Sequence, residues 1–89
     1  MLTRSELTAA MLKSEKLKLG TIEKFYGRET QCAYCDDKGE VIFDQDNQEL
    51  ERYENDCCVA TLSVDSVEDA ITALEAYADT GELPDEEFV

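Results

Sequence analysis

Two consecutive segments near the carboxyl end of the chain repeat their apolar residues at different periods. In residues 57–64 the even-numbered side chains are all apolar, and this period of two predicts a half-buried strand. In residues 67–78 the apolar side chains recur every three or four positions, which predicts an amphipathic helix. Gly81 and Pro84 then end the helix, because glycine adopts the left-handed conformation readily and proline cannot continue a helix. A strand followed directly by a helix restricts the chain to a fold that mixes both types of element.

A second amphipathic helix is predicted over residues 5–16, with Thr3 or Ser5 as its N-cap and lysines toward its carboxyl end. Residues 21–26 fit either a strand or a short helix. An extended segment over residues 30–36, a turn at residues 37–39 and β-branched residues at 40–43 predict a β-hairpin. The segment from Leu50 to Cys57 fits either a short helix or a strand.

These elements predict an α+β fold in which a small antiparallel sheet of about three strands packs against an N-terminal and a C-terminal helix. The 89 residues suffice for one domain with one core, and residues 85–89 are expected to be a mobile tail or to dock loosely through Phe88. The sheet face away from the helices is then free to carry polar groups or to bind a partner.

The charge of the chain is divided unevenly along its length. Residues 1–28 carry six basic and three acidic side chains, whereas residues 29–89 carry 19 acidic and two basic ones, so the net charges are +3 and −17. A negative surface of this strength is repelled by nucleic acids and by anionic lipids, which argues against direct binding to either. We expect instead a protein partner that has a basic surface.

Several other classes of function are disfavoured by what the sequence lacks. The chain has no histidine, which is the commonest general base and a frequent metal ligand, and it has no glycine-rich phosphate-binding motif. We therefore expect a protein that is not an enzyme and has no cofactor. Neither a membrane-spanning run nor a signal peptide is evident, so a cytoplasmic location is expected.

The four cysteines raise the alternative of a zinc-stabilised regulatory adaptor. Cys32 and Cys35 have the CxxC spacing of a zinc knuckle, but Cys57 and Cys58 are adjacent and point to opposite faces if they lie in a strand. The same alternation separates Cys32 from Cys35 in a regular strand. Reduced cysteines packed as small apolar side chains are therefore favoured over a metal site.

The acidic residues suggest a function through their spacing. Glu68, Glu75 and Asp79 form a line on the last helix opposite its apolar side, and residues two apart on a strand lie about 7 Å apart, which is comparable to the spacing of phosphates along a nucleic-acid strand. The hypothesis is that the protein presents carboxylates where phosphates would sit in a nucleic-acid-binding groove of a partner. The candidate partner-binding residues are Asp36, Asp37, Glu40, Asp44, Asp46, Glu49, Glu51, Glu68, Glu75 and Asp79.

Inhibitors of this general type include the anti-restriction and anti-CRISPR proteins of phages, and the analogy is one of size and charge alone. The second hypothesis is an acidic interaction module that binds through an apolar sheet face bearing Tyr26, Tyr34 and Tyr53, because tyrosines are common interface anchors. In either case the basic first helix is available to pair with acids of the same chain, or with those of a second copy in a homodimer.

Overall fold

The strands of the sheet follow one another in the order of the chain, and each pairs antiparallel with the next. The computed structural model describes residues 1–23 and 31–89, and within these residues the sheet has six strands and the helical layer has two α-helices. The strands are β1 Thr21–Glu23, β2 Gln31–Asp36, β3 Gly39–Asp44, β4 Glu49–Glu54, β5 Cys57–Ser63 and β6 Glu87–Phe88. The helices are α1 Arg4–Lys13 and α2 Val67–Thr80, and a 3₁₀ helix follows α1 at Lys16–Leu19.

The α+β class predicted from the sequence is confirmed, but the expected number of about three strands was too low. The segment that fitted either a helix or a strand is β4, which pairs with β3 over residues 49–53 and with β5 over residues 49–54. Its alternation was hard to recognise because one of its two buried positions is occupied by Arg52 instead of an apolar residue.

Two-residue loops join β2 to β3 and β4 to β5. Asn55 and Asp56 connect β4 to β5 with φ values of 51° and 65°. Positive φ at both central residues is typical of the mirror-image turn that matches strand twist, and asparagine and aspartate tolerate it well. A β-bulge follows in β5, since Arg52 pairs with Ala60 while Tyr53 pairs with Cys58. The bulge moves Cys58 away from the face that the simple alternation predicted for it.

Both helices begin at side-chain caps. Thr3 accepts a hydrogen bond from the Glu6 amide at the start of α1, and Ser66 accepts one from the Asp69 amide at the start of α2. The first helix ends at Lys13, earlier than predicted, and the 3₁₀ helix carries Leu17 into the core. The second helix ends as predicted at Gly81, whose φ of 84° is left-handed.

The core lies between one sheet face and the two helices, and we call this the helix-facing side of the sheet. Its largest buried side chains include Tyr34, Phe43 and Leu50 from the strands and Leu7 and Tyr77 from the helices. The rings of Tyr34 and Tyr77 meet edge to face, with centroids 6.2 Å apart. Tyr34 is therefore a core residue.

The segment after α2 returns to the sheet through a buried ion pair. Both guanidinium edges of Arg52 are used: Nε and Nη2 donate to the Glu86 carboxylate at 2.9 Å each, and Nη1 donates to Glu54 at 2.7 Å. The Arg52 and Glu86 side chains are each 5% exposed. This anchor places β6 beside β5, where the Val89 amide donates to the Val59 carbonyl.

The last residues of the chain, expected to be a mobile tail or to dock through Phe88, lie against the sheet in the structure. The C-terminal segment contacts the sheet through its backbone and through Glu86, while the Phe88 side chain is 74% exposed. The predicted mobility of residues 85–89 remains a prediction.

The segment at 21–26, which fitted either a strand or a short helix, is described in its first half only. Residues 21–23 form a strand, and residues 24–30, which include Tyr26, lie outside the described residues. In the described part of the chain, neither helix has the length and apolar character needed to span a bilayer.

Candidate binding surface

The second sheet face, which points away from the helices, collects acidic side chains from β3, β4 and β6. Strand alternation and the pairing register place Glu40, Glu49, Glu51 and Glu87 on it. We call these four residues the sheet-face acidic cluster. Glu49 and Glu51 are two positions apart on β4, and Glu87 lies in the same cross-strand row as Glu51 with Thr61 between them. The Cα atoms of adjacent members are thus about 7–10 Å apart, along a strand or across neighbouring strands.

The carboxyl groups at the centre of this cluster interact unfavourably with one another. Partial burial raises the pKa of Glu51, and a hydrogen bond with Glu49 and the negative charges of Glu49 and Asp44 raise it further, while a hydrogen bond with Tyr53 acts in the opposite direction. Glu51 therefore binds a proton more readily than an isolated glutamate would, and a cation placed beside it would be favoured by the same negative charges.

No ion pair within the described residues neutralises this cluster. The described ion pairs of the chain join Lys16, Lys38 and Arg52 to other acids. Glu40 accepts a long contact from the Cys35 thiol at 3.7 Å. Among residues 1–23 and 31–89, no basic side chain is paired with a member of the cluster.

The second face is not entirely available for binding, however. Ala33 and Ile42 lie on it, in the same cross-strand row as Glu51, and they are 1% and 0% exposed. Tyr53 is half-buried on this face, whereas Tyr34 lies in the core on the other side. Of the three tyrosines in the second hypothesis, Tyr53 is thus on this face, Tyr34 is in the core, and Tyr26 lies outside the described residues, so that hypothesis remains a prediction.

Asp44 and Asp46 belong to the β3–β4 turn. The Asp44 carboxylate is buried and accepts from the Asp46 amide at 3.0 Å and from Asn47 Nδ2 at 2.8 Å, which closes the turn. The same turn holds the start of the chain, because Gln48 exchanges hydrogen bonds with the backbone of Leu2. Asp44 therefore has a structural role, while Asp46 is exposed at the tip of the turn.

Asp36 ends β2 and Asp37 begins the β2–β3 turn, and neither joins the cluster. Asp36 Oδ1 accepts from the Lys38 amide at 2.9 Å and from the Tyr77 hydroxyl at 3.4 Å, so its side chain is on the helix-facing side. The Lys38 ammonium lies 3.5 Å from Asp37 and 3.8 Å from Asp36. Burial is the main cause of the raised pKa of Tyr77, and the Asp36 carboxylate raises it further.

The acidic line predicted on the last helix is partly used within the protein. Glu75 accepts a hydrogen bond of 2.7 Å from the Ser14 hydroxyl, and Asp79 is paired with Lys16. These contacts join α2 to the segment that follows α1, so the basic first part of the chain does pair internally. Glu68 is exposed near the start of α2, on the other side of the sheet from the cluster. The ten predicted residues therefore do not form one surface.

The cysteines are distributed over both faces. Cys32 is buried on the helix-facing side, where burial raises the pKa of its thiol, and Cys35 lies on the second face. The Cys58 thiol also has a raised pKa, caused first by burial and then by the charge of Glu51, whereas Cys57 is exposed. Within residues 1–23 and 31–89, no group of three or more potential ligands is arranged to hold a metal ion. A zinc site that uses both Cys32 and Cys35 would require β2 to be disrupted.

Glu87 is a member of the cluster that the sequence analysis did not identify. It lies in a segment expected to be a mobile tail, and only the pairing of β6 with β5 brings it beside the cluster. The sequence contains a weak indication of this strand, because the polar Glu87 is followed by the apolar Phe88, as in a strand with one polar and one apolar face.

Comparison with protein-family models, with characterised proteins and with solved structures found no match. The function of the chain is therefore argued from its own geometry and charge.

Proposed function

We propose that this is a non-enzymatic acidic protein that binds the basic, nucleic-acid-binding surface of a protein partner and so competes with nucleic acid. The observation that carries the proposal is the sheet-face acidic cluster of Glu40, Glu49, Glu51 and Glu87, which is not ion-paired within the described residues. The cluster replaces the broader set of ten acids as the centre of the contact.

The proposal is supported by the free energy of the carboxylates, which would be lower beside basic side chains of a partner than in the free protein. In the free protein, partial burial and repulsion from Glu49 raise the pKa of Glu51, so the charged form of Glu51 is disfavoured there. Lysine or arginine side chains of a partner would relieve that repulsion. The net charge of −14 adds long-range attraction, which increases the rate of association with a basic surface and weakens as salt is added.

The proposal excludes direct binding to nucleic acid, because two polyanions repel each other. It places the protein in the cytoplasm, and the general class is that of nucleic-acid mimics such as the phage inhibitors of restriction and CRISPR systems. A homodimer is compatible with the proposal if it leaves the second sheet face exposed.

The test uses variants that change net charge equally at two places. The first variant combines Glu49→Gln, Glu51→Gln and Glu87→Gln, and the control variant combines Glu6→Gln, Glu68→Gln and Glu82→Gln at exposed positions elsewhere. Each variant is immobilised and incubated with cell lysate at low salt, and proteins eluted by high salt are identified by mass spectrometry.

We expect wild type and the control variant to retain the same nucleic-acid-binding protein, which added DNA or RNA displaces. The sheet-face variant should lose it. Equal retention by both variants would show that net charge alone explains the binding, and a partner that survives high salt would contradict charge mimicry.

A further inference from the structure

An apolar groove with an acidic rim lies between α2 and the segments on either side of it, away from the sheet-face acidic cluster. Its floor is formed by Leu62 and Val64 at the end of β5, by Ala73 on α2 and by Pro84 after it. This part of the groove encloses about 340 Å³. A second hollow of about 420 Å³ adjoins it, since both are lined by Ser63, Val64 and Asp69.

Three carboxylates surround the apolar floor. Asp69 borders both hollows, Asp65 borders the second, and Asp85 borders the first, where it is exposed with a φ of 54°. Within the described residues, the ion pairs of Lys16, Lys38 and Arg52 are all with other acids. In this part of the chain the groove thus combines an apolar floor with carboxylates at its edges that form no ion pair.

We infer that this groove binds a peptide segment of a partner in which apolar side chains are flanked by lysine or arginine. An apolar side chain would fill the space over Val64 and Ala73, which are 5% and 2% exposed, and would gain free energy from burial. The flanking basic side chains would reach Asp65, Asp69 and Asp85. A purely basic segment would leave the floor unfilled, and a purely apolar one would leave the rim unneutralised.

The inference goes beyond the proposed function and does not depend on it. It concerns a different surface, and it predicts an apolar contribution to binding that is less sensitive to salt than contacts at the sheet-face acidic cluster.

The experiment measures the affinity of the full-length protein for two fluorescent peptides by anisotropy. One peptide is a short amphipathic sequence of leucine and arginine, and the other has the same arginines with serine in place of every leucine. We expect the leucine peptide to bind at least about tenfold more tightly. Equal affinity for the two peptides would overturn the inference, because attraction of charge alone would then account for binding.

Two matched variants locate the contact. Thr72→Arg places a guanidinium in the groove, whereas Thr61→Arg makes the same change on the second sheet face. We expect Thr72→Arg to weaken binding of the leucine peptide by about tenfold or more and Thr61→Arg to weaken it by much less. The reverse order would place the peptide on the second face and overturn the inference, and circular dichroism checks that both variants are folded.

The individual contributions of the rim are measured with Asp69→Asn and Asp85→Asn, with Asp56→Asn in the β4–β5 turn as the control. Each rim variant should weaken binding by a few-fold and reduce its salt dependence, whereas the control should not. Loss of groove binding would leave the pull-down result for the sheet-face acidic cluster unaffected, so the two proposals fail separately.

Discussion

The ion pair between Arg52 and Glu86 is expected to be the polar contact on which the stability of this fold depends most. Both side chains are 5% exposed, and two parallel hydrogen bonds of 2.9 Å join them. The contact connects the middle of the sheet to the segment that carries β6. Glu86 also accepts a hydrogen bond from the Leu83 amide, so its loss would also affect the segment that follows α2.

The perturbation is a cycle of three variants: Arg52→Met, Glu86→Leu and the combination of both. Arg52→Met leaves the Glu86 carboxylate buried without its ionic partner, which costs about 3–5 kcal/mol of the free energy of unfolding. Glu86→Leu leaves Nε and Nη2 of Arg52 unpaired while Nη1 still donates to Glu54, so it should cost less. An 89-residue domain has roughly 4–13 kcal/mol in total, so Arg52→Met is expected to remove a large fraction of the stability. The double variant replaces the pair with apolar side chains of similar size and should recover most of this loss.

The assay is urea denaturation followed by far-ultraviolet circular dichroism. With a slope of about 1.5 kcal/mol per molar urea, Arg52→Met should lower the midpoint by roughly 2 M or more, and Glu86→Leu should lower it by less. Glu54→Gln is the control, because Glu54 meets the same arginine at a position 53% exposed and should contribute only about 0–1 kcal/mol. Single-variant losses below about 1 kcal/mol, or a double variant no better than the singles, would refute the reasoning.

Two further predictions concern the second face and the β2–β3 turn. The folded-state pKa of Glu51 is raised above its unfolded-state pKa, so folding favours the protonated form. The melting temperature should therefore rise as pH falls from 7 through the folded-state pKa. Below the unfolded-state pKa, this group should add no further stability. Glu51→Gln should raise the melting temperature at pH 7 and flatten this rise, while Glu68→Gln should leave it in place; a wild type whose stability only falls on acidification would contradict the account. Gly39→Ala should cost about 1–3 kcal/mol of the free energy of unfolding, because φ is +146° and the new Cβ would lie 2.7 Å from the Tyr53 carbonyl oxygen. Gly81→Ala is the control, since the atoms nearest to its new Cβ belong to the flexible Lys38 side chain. Thermal melts should show a larger loss for Gly39→Ala, and equal losses would count against the steric argument.

Local sequence signals were sufficient where neighbouring residues decide the structure. Ser66 and Gly81 bound α2 because a serine hydroxyl caps a helix start and a glycine tolerates left-handed backbone, whatever the rest of the chain does. The β2–β3 hairpin was predictable for the same reason. The class of the fold followed from the two apolar periods at the carboxyl end.

Long-range contacts decided what these signals left open. β4 was ambiguous because its inward Arg52 is a charged residue in sequence, and its bidentate pair with Glu86, 34 positions away, contributes most to making that position compatible with burial. The acids of α2 looked like one exposed line, but Ser14 and Lys16 occupy two of them. Charge counted along the chain cannot distinguish an acid with an internal partner from one without.

The sequence by itself determined the α+β class, the ends of α2 and the strong negative charge, because each depends on composition or on residues a few positions apart. Only the tertiary structure decided which carboxylates share a surface. Glu40, Glu49, Glu51 and Glu87 come together through strand register, and a shift of one residue would move each of them to the opposite face. That register is set by the packing of the apolar core and by the Arg52–Glu86 pair, neither of which has a local signature in the sequence.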